Sequence, residues 1–317
     1  MKKSAVIALG AVAAVVLAAC GSGGGSSDEE ELREVTFGTL PILPSGAIVI
    51  GKEQGFFEDE GIDLTIEMAQ GGAAIIPGVM SGQPEFGTSN PVSLLTAREK
   101  GLPLKVLTHW SSDVPPPDQG INGIISLEGS GIDEPADLAG KSIAINTLRS
   151  IGDLTIREVV REAGGDPDSI DFVELGFPDM PAALESENVD AVWVPEPFLT
   201  GLQQGTGQLV GYTSQLAVPG MPMQYTFTSE EIVASEPELV ESMTAALEKT
   251  LEYADENPDE VRVAAAELTE IPLEQLEESG TEAFGTDLRR DQITRLGELM
   301  AIEGWISEAP DVDGLLP

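Results

Sequence analysis

The chain has 317 residues with one cysteine and one histidine, and 55 acidic against 16 basic side chains give it a formal charge of −39 at pH 7. A surface this acidic repels nucleic acid, which is held by basic stripes, while single Cys and His residues exclude an internal disulfide and a multi-histidine metal centre. The charged fraction is an ordinary 22%, so acids have replaced bases along the whole chain, a pattern suited to saline surroundings where 1 M salt cuts the Debye length to about 3 Å.

The amino terminus opens with Met1, Lys2 and Lys3, followed by an uncharged run of small apolar residues from Ala5 to Ala19. The run falls short of the roughly 20 residues that a helix needs to cross a hydrocarbon core and ends in Leu17-Ala18-Ala19-Cys20. This is the pattern of a secretory signal, and it resembles a bacterial lipoprotein precursor. The resemblance implies that residues 1–19 are removed, that Cys20 becomes the first mature residue, and that its sulfur carries the lipid. One acyl chain holds weakly, so a diacylglyceryl group is the expected anchor to the outer face of the cytoplasmic membrane. Gly21 to Ser27 and Asp28 to Glu31 are too polar and flexible to pack, which makes residues 20–34 a tether.

From Val35 the chain alternates strands and helices. Val35 to Leu40 reads as a strand, Gly46 to Gln54 as a helix, Ile62 to Ile66 as a second strand, and the apolar stretch from Gly72 through Met80 as a second helix. Glu85 to Gly87 and Leu104 to Thr108 read as further strands around a helix from Pro91 to Lys100, where proline suits the first helical position. Such alternation predicts a largely parallel sheet. The proline-rich stretch Ser111 to Asp118 breaks the rhythm. It restarts with strands at Asn122 to Leu127, Lys141 to Asn146, Ile170 to Leu175 and Val189 to Val194, and with helices at Asp153 to Ala163 and Pro181 to Ser186. Gln224 to Thr228 is a last strand, and Leu239, Met243, Leu247 and Leu251 mark one face of a long helix. The predicted organisation is one lobe from residues 35–121 and 222–317, a second from residues 122–221, and two crossings that make a hinge.

Gly51 to Ile62, Ser81 to Gly87, Asp137 to Ala144, and Val189 to Trp193 with Glu196-Pro197-Phe198 resemble, in order and spacing, the type II periplasmic binding proteins of the nitrate, sulfonate, taurine and thiamine-pyrimidine-precursor group. The resemblance implies an α/β, two-lobed fold with a ligand cleft between lobes joined by a two-segment hinge. It also implies an ABC permease and ATPase as partners, a monomeric receptor, and no cofactor.

Ligands of open α/β sheets bind beyond the carboxyl ends of the strands, so the candidate contacts are Ser45, Gln70, Ser89, Asn90 and Trp110 in the first lobe. In the second they are Asn122, Asn146, Thr147, Arg149, Ser150, Gly152 and Glu196. The loop from Asn146 to Gly152 opens a helix whose first amides lack partners. There Arg149 is placed to pair with an anion or to stay solvated, and Ser150 and Thr147 to contact the ligand or to cap. Arg149 favours a sulfonate, taurine, nitrate or carboxylate. Glu196, with Trp110 and Trp193, suits a planar nitrogen heterocycle such as a thiamine pyrimidine precursor or flavin, although both tryptophans also suit a core and Glu196 equally suits a lobe-edge position held by backbone amides. An enzyme or sensor on the same fold is the remaining alternative. His109 is the sole histidine, no serine sits in a Gly-x-Ser-x-Gly elbow, and fungal pyrimidine synthases of this group carry a cysteine-rich motif that a single-cysteine chain lacks. No catalytic residue and no metal ligand is therefore assigned.

Overall fold

The computed structural model describes residues 32–113, 120–307 and 310–317. The signal segment, Cys20, the tether up to Glu31 and the prolines of the break at 115–117 lie outside the described residues. In chain order the strands are β1 (Arg33–Thr39), β2 (Ile62–Met68), β3 (Phe86–Ser89), β4 (Leu104–Ser112), β5 (Asn122–Leu127), β6 (Ser142–Ile145), β7 (Asp171–Glu174), β8 (Ala191–Pro195), β9 (Gly207–Gly211), β10 (Pro222–Ser229) and β11 (Ala283–Phe284). They build two sheets, ordered β11-β4-β10-β3-β1-β2 and β7-β6-β8-β5-β9, one in each of two lobes.

Helices α1 (Gly46–Glu53), α2 (Gly72–Ser81) and α3 (Pro91–Glu99) connect the first four strands. Four more, α4 (Ile151–Glu162), α5 (Met180–Glu185), α6 (Phe198–Gln203) and α7 (Thr213–Ala217), belong to the second set. The carboxyl-terminal third adds α8 (Glu230–Ser235), α9 (Pro237–Glu256), α10 (Pro258–Thr269), α11 (Leu273–Glu277), α12 (Arg290–Ile302) and α13 (Val312–Leu315). On α9 the buried face runs through Met243, Leu247 and Leu251, the four-residue stripe expected of an amphipathic helix. That face and α10 pack on α1 so closely that a Cβ on Gly46 would lie 2.3 Å from the Val261 carbonyl oxygen, and one on Gly51 would lie 2.1 Å from Thr250 Oγ1. Two glycines one helical turn and a residue apart thus let the end of the chain dock on its beginning.

Three expectations need correction. β1 begins at Arg33, inside the stretch assigned to the tether, and β4 runs on to Ser112, inside the stretch read as a break. Neither sheet is mainly a run of parallel neighbours: β10 enters between β3 and β4 and is antiparallel to both, and β5 is antiparallel to β8 and β9. The cause is connectivity. After the second sheet the chain returns through β10 along the strand by which it left, so that Ser112 pairs with Pro222 and the Asp113 amide donates to the Met221 carbonyl at 2.9 Å. The two crossing segments are laced to each other at the point where they leave the first sheet.

With 55 acids and 16 bases, most surface carboxylates have no cation to pair with. Their mutual repulsion opposes the compact state and is screened by salt. The melting midpoint is accordingly expected to rise between 0.1 M and 1 M NaCl, and a flat or falling midpoint in a thermal melt would remove the saline reading of the charge.

Candidate functional site

A narrow cavity of about 40 Å³, partly open to solvent, lies where strand ends of the two sheets face each other. Leu40 and Asn90 follow β1 and β3, Asn146 follows β6, and Pro195 ends β8. The remaining walls are Ile42, Gly72, Ile151, Phe177, Trp193, Met223, Gln224 and Glu282. Apolar walls with a few convergent polar groups at strand ends are the ordinary composition of a small-molecule site. Trp193 is its largest wall. The indole N–H is held by Thr213 Oγ1 at 2.8 Å, the ring lies 6.0 Å between centroids from Phe177, and it meets α4 at Gly152, where a Cβ would come within 2.7 Å of it. Glycine at 152 is therefore what allows the helix start to approach the indole this closely.

The predicted residues separate into those at the cavity, those at its rim and those elsewhere. Asn90 and Asn146 line it. Asn90 also caps α3, its Oδ1 accepting from the Ser93 amide at 3.0 Å, and donates through Nδ2 to Ser150 Oγ at 3.0 Å. Ser150 therefore forms no side-chain cap on α4 and instead ties the second sheet's first helix to α3 in the other lobe. At the rim, a Cβ on Gly71 would lie 2.9 Å from Thr147 Oγ1, and one on Gly176 would lie 2.5 Å from Gln70 Oε1, so Thr147 and Gln70 each reach across the cleft mouth. Ser45 and Ser89 sit deeper, outside the cavity wall. Ser45 Oγ is 2.8 Å from Thr39 Oγ1, and Ser89 Oγ is buried without a protein partner beneath the start of α2.

Four more candidates lie outside the cavity wall, and for Trp110 and Glu196 the core and backbone-held alternatives are the ones observed. Trp110 is wholly buried in the core of the first lobe against Phe37, with its indole N–H on the Pro44 carbonyl, and offers no face to a ligand. Asn122 is buried beside the cavity, where its Oδ1 accepts from Ser214 Oγ at 2.6 Å and Thr213 Oγ1 at 3.2 Å. Arg149 takes a left-handed φ of 53° and turns outward, with its guanidinium over the Trp305 ring and Nη2 on the Trp305 carbonyl at 3.3 Å. Glu196 spends its carboxylate on the backbone, accepting from the Thr200 amide and hydroxyl at 3.0 and 2.8 Å and from the Gly280 amide at 3.3 Å. Burial raises its pKa and these bonds pull it back. His109 is likewise structural, its ring nitrogens 2.9 and 2.8 Å from the Gly285 and Ser111 carbonyl oxygens, and burial pushes it down to about 4.

The acid that does line the cavity is Glu282, just before β11. Burial pushes its carboxyl up to about 8, the nearby Ser111 hydroxyl opposes that, and the charge on Asp113 adds to it. Asp113, at the first hinge crossing, is itself raised to about 6 by burial against the bond from Gln215 Nε2 to its Oδ1 at 2.7 Å. None of the cavity-lining residues is basic.

Comparison with known proteins places this geometry. The chain is 26% identical over 233 residues to the formylaminopyrimidine-binding protein of Halalkalibacterium halodurans, covering 73% of this chain and 68% of that one. It is 25% identical over 220 residues to a protein of Legionella pneumophila named 4-amino-5-hydroxymethyl-2-methylpyrimidine phosphate synthase, covering 67% of this chain and 66% of that one. In structure it resembles the alkanesulfonate-binding protein SsuA of Xanthomonas axonopodis, with a TM-score of 0.74 and 17% identity over 90% of this chain and 98% of that one, which establishes a shared periplasmic-binding-protein fold. Residues 45–261, well over half of the chain, match the family described as NMT1/THI5 like. The chain belongs to the NMT1/THI5-like family.

Proposed function

We propose that the protein is an exported, lipid-anchored receptor that captures a planar nitrogen heterocycle between its lobes for an ABC-type importer. The observation that carries this reading is the cavity itself: an indole and a phenyl ring beside neutral amides and one buried carboxyl, with no cation among the lining residues. An aromatic heterocycle gains from the flat walls and from N–H groups offered to oxygen acceptors. A sulfonate or nitrate would instead bring a charge to a site whose lining holds no cation to pair with it, and Arg149, the residue on which the anion reading rested, is turned to Trp305. The formylaminopyrimidine named for one relative is a ligand of this kind. Capture is by hinge closure: residues 35–121 with 222–317 form one lobe, residues 122–221 the other, and contacts from both make the closed form the stable one with ligand bound. Permease and ATPase subunits then receive the closed, monomeric form, and lipidated Cys20 keeps it at the membrane.

Thermal melting in high salt against aminopyrimidines, flavins, sulfonates, nitrate and aromatic carboxylates tests this. A ligand specific for the folded state adds about 2.7 kcal/mol at a hundredfold excess over its Kd. The expected result is a shift with an aminopyrimidine and none with the anions; a shift with anions alone overturns the heterocycle reading. Turnover of the bound compound, assayed by mass spectrometry of the recovered ligand, would place the chain with its synthase relatives instead.

A further inference from the structure

The fold leaves two oxygen acceptors unspent at the cavity. Glu282 Oε2 and Gln224 Oε1 are buried without a hydrogen-bond partner in the protein, in residues only 7% and 6% exposed, and both residues line the cavity. Buried polar atoms are nearly always paired, because an orphan carries its full desolvation cost. Glu282 also lines a second pocket with Asp255, Thr281 and Phe284, so it stands between the cleft and a separate opening.

We propose that Glu282 sets the ligand specificity of the cleft as a neutral carboxylic acid. Its O–H is donated to a ring nitrogen, its carbonyl oxygen accepts one hydrogen of the adjacent exocyclic amine, and Gln224 Oε1 accepts the other. The proposal rests on the reading of the cleft as a heterocycle site and deepens it, naming the amino-azine edge, an acceptor and a donor side by side, as the feature recognised.

A protonated carboxyl presents one donor and one acceptor on the same edge, which matches an amino-azine and mismatches both an anion and an amidinium, whose two donors call for a carboxylate. The surroundings favour the acid form. Burial holds Glu282 at about 8 and the Asp113 charge reinforces it, whereas only the Ser111 hydroxyl opposes. Asp113, held through Gln215, Asp255 on α9, whose Oδ1 accepts from the Phe284 amide at 3.1 Å, and Glu196, which accepts from the Gly280 amide, are acids near it, while His109 bonds the Ser111 and Gly285 carbonyls and Arg262 on α10 donates to the Ser279 carbonyl. No proton leaves the complex on binding: it stays between Glu282 and the ring nitrogen.

Titration calorimetry of the whole protein from pH 7 to 9.5 tests this with 4-aminopyrimidine, pyridine, aniline and benzamidine. 4-Aminopyrimidine is expected to bind with an affinity that is level below about pH 8 and falls tenfold for each unit above it, because only the acid form is competent. Pyridine and aniline, which carry half of the edge each, bind at least tenfold more weakly. Glu282→Gln keeps a donor and an acceptor side by side, so it retains binding and loses the pH dependence; Glu282→Leu, which fills the same space without either, loses at least a hundredfold. Binding by Glu282→Leu equal to that of the natural protein overturns the proposal while leaving the heterocycle site in place. Benzamidine binding that strengthens as pH rises also overturns it, in favour of an ionised carboxylate. If none of these bases binds and an anion does, the reading of the cleft falls together with the proposal.

Discussion

Glu282→Gln is expected to make the ligand-free protein more stable than the natural one at pH 8, by about 3 kcal/mol. The carboxyl sits at about 8 in the folded chain and near its ordinary 4.5 when unfolded, because burial disfavours the charge. Between those values the folded state binds the extra proton, so each pH unit costs the natural protein about 1.4 kcal/mol of stability. The stability that Glu282 leaves intact below pH 4.5 is thus lost as pH rises through the window from about 4.5 to about 8 and is level above it. The full interval sets a ceiling of about 5 kcal/mol, and relaxation of a partly polar interior brings the expected value below that ceiling. Asp113 acts in the same direction over a lower window, from its ordinary 3.8 to about 6. Urea unfolding of both proteins at pH 5, 6.5 and 8 checks this. The curves should nearly meet at pH 5 and separate steadily above it, and parallel curves would show that Glu282 is not held protonated.

No local feature of the sequence marks Glu282 among 55 acids. It reaches the cavity because β11 pairs with the far end of β4, with Phe284 opposite Ser111, a contact between positions more than 170 residues apart. Sequence patterns report on neighbours along the chain, and this contact joins two strands far apart in it. Asn90 was legible for the opposite reason: an Asn before Pro91 marks a helix start, helix starts at strand ends face the cleft, and the same amide both caps α3 and lines the cavity. The tryptophans show where periodicity gives out. Trp110 and Trp193 each lie in a strand and both are buried, at 0% and 2% exposure, yet only Trp193 reaches the cavity wall. Arg149 has the right position for an anion contact and the wrong direction, because its left-handed backbone aims the side chain at Trp305. The expectation of a largely parallel sheet fails at β5 and at β10, whose insertion between β3 and β4 a reading in chain order misses because the strand arrives only after a whole lobe has intervened.

Replacing Glu303 by alanine is expected to weaken both the fold and the hold of one lobe on the other. Glu303 follows α12 and is 6% exposed, and it accepts from Arg161 and pairs with Arg157 at 3.5 Å, both of them on α4 of the second lobe. Arg157 also pairs with the buried Asp153 at 2.7 Å, Arg161 with Glu158 at 2.7 Å, and Glu158 reaches back to Arg295 on α12 at 3.2 Å. Three of only 16 basic residues are thus concentrated on one seam between lobes, in a chain whose net charge leaves cations scarce. Removing one partner of a buried ion pair leaves the other uncompensated and costs about 3–5 kcal/mol. Here the arginines are partly exposed and keep Asp153 and Glu158, so the expected loss is about 2 kcal/mol. Because α4 and α12 meet across the cleft, much of that loss should fall on the closed form, lowering ligand affinity up to about thirtyfold by reducing the competent fraction. A double-mutant cycle with Arg161→Ala, read in both unfolding and ligand titration, separates the two. Coupling near 1 kcal/mol or more in the titration identifies the seam as part of the closure, whereas coupling confined to unfolding would make it a fixed brace between lobes that do not part.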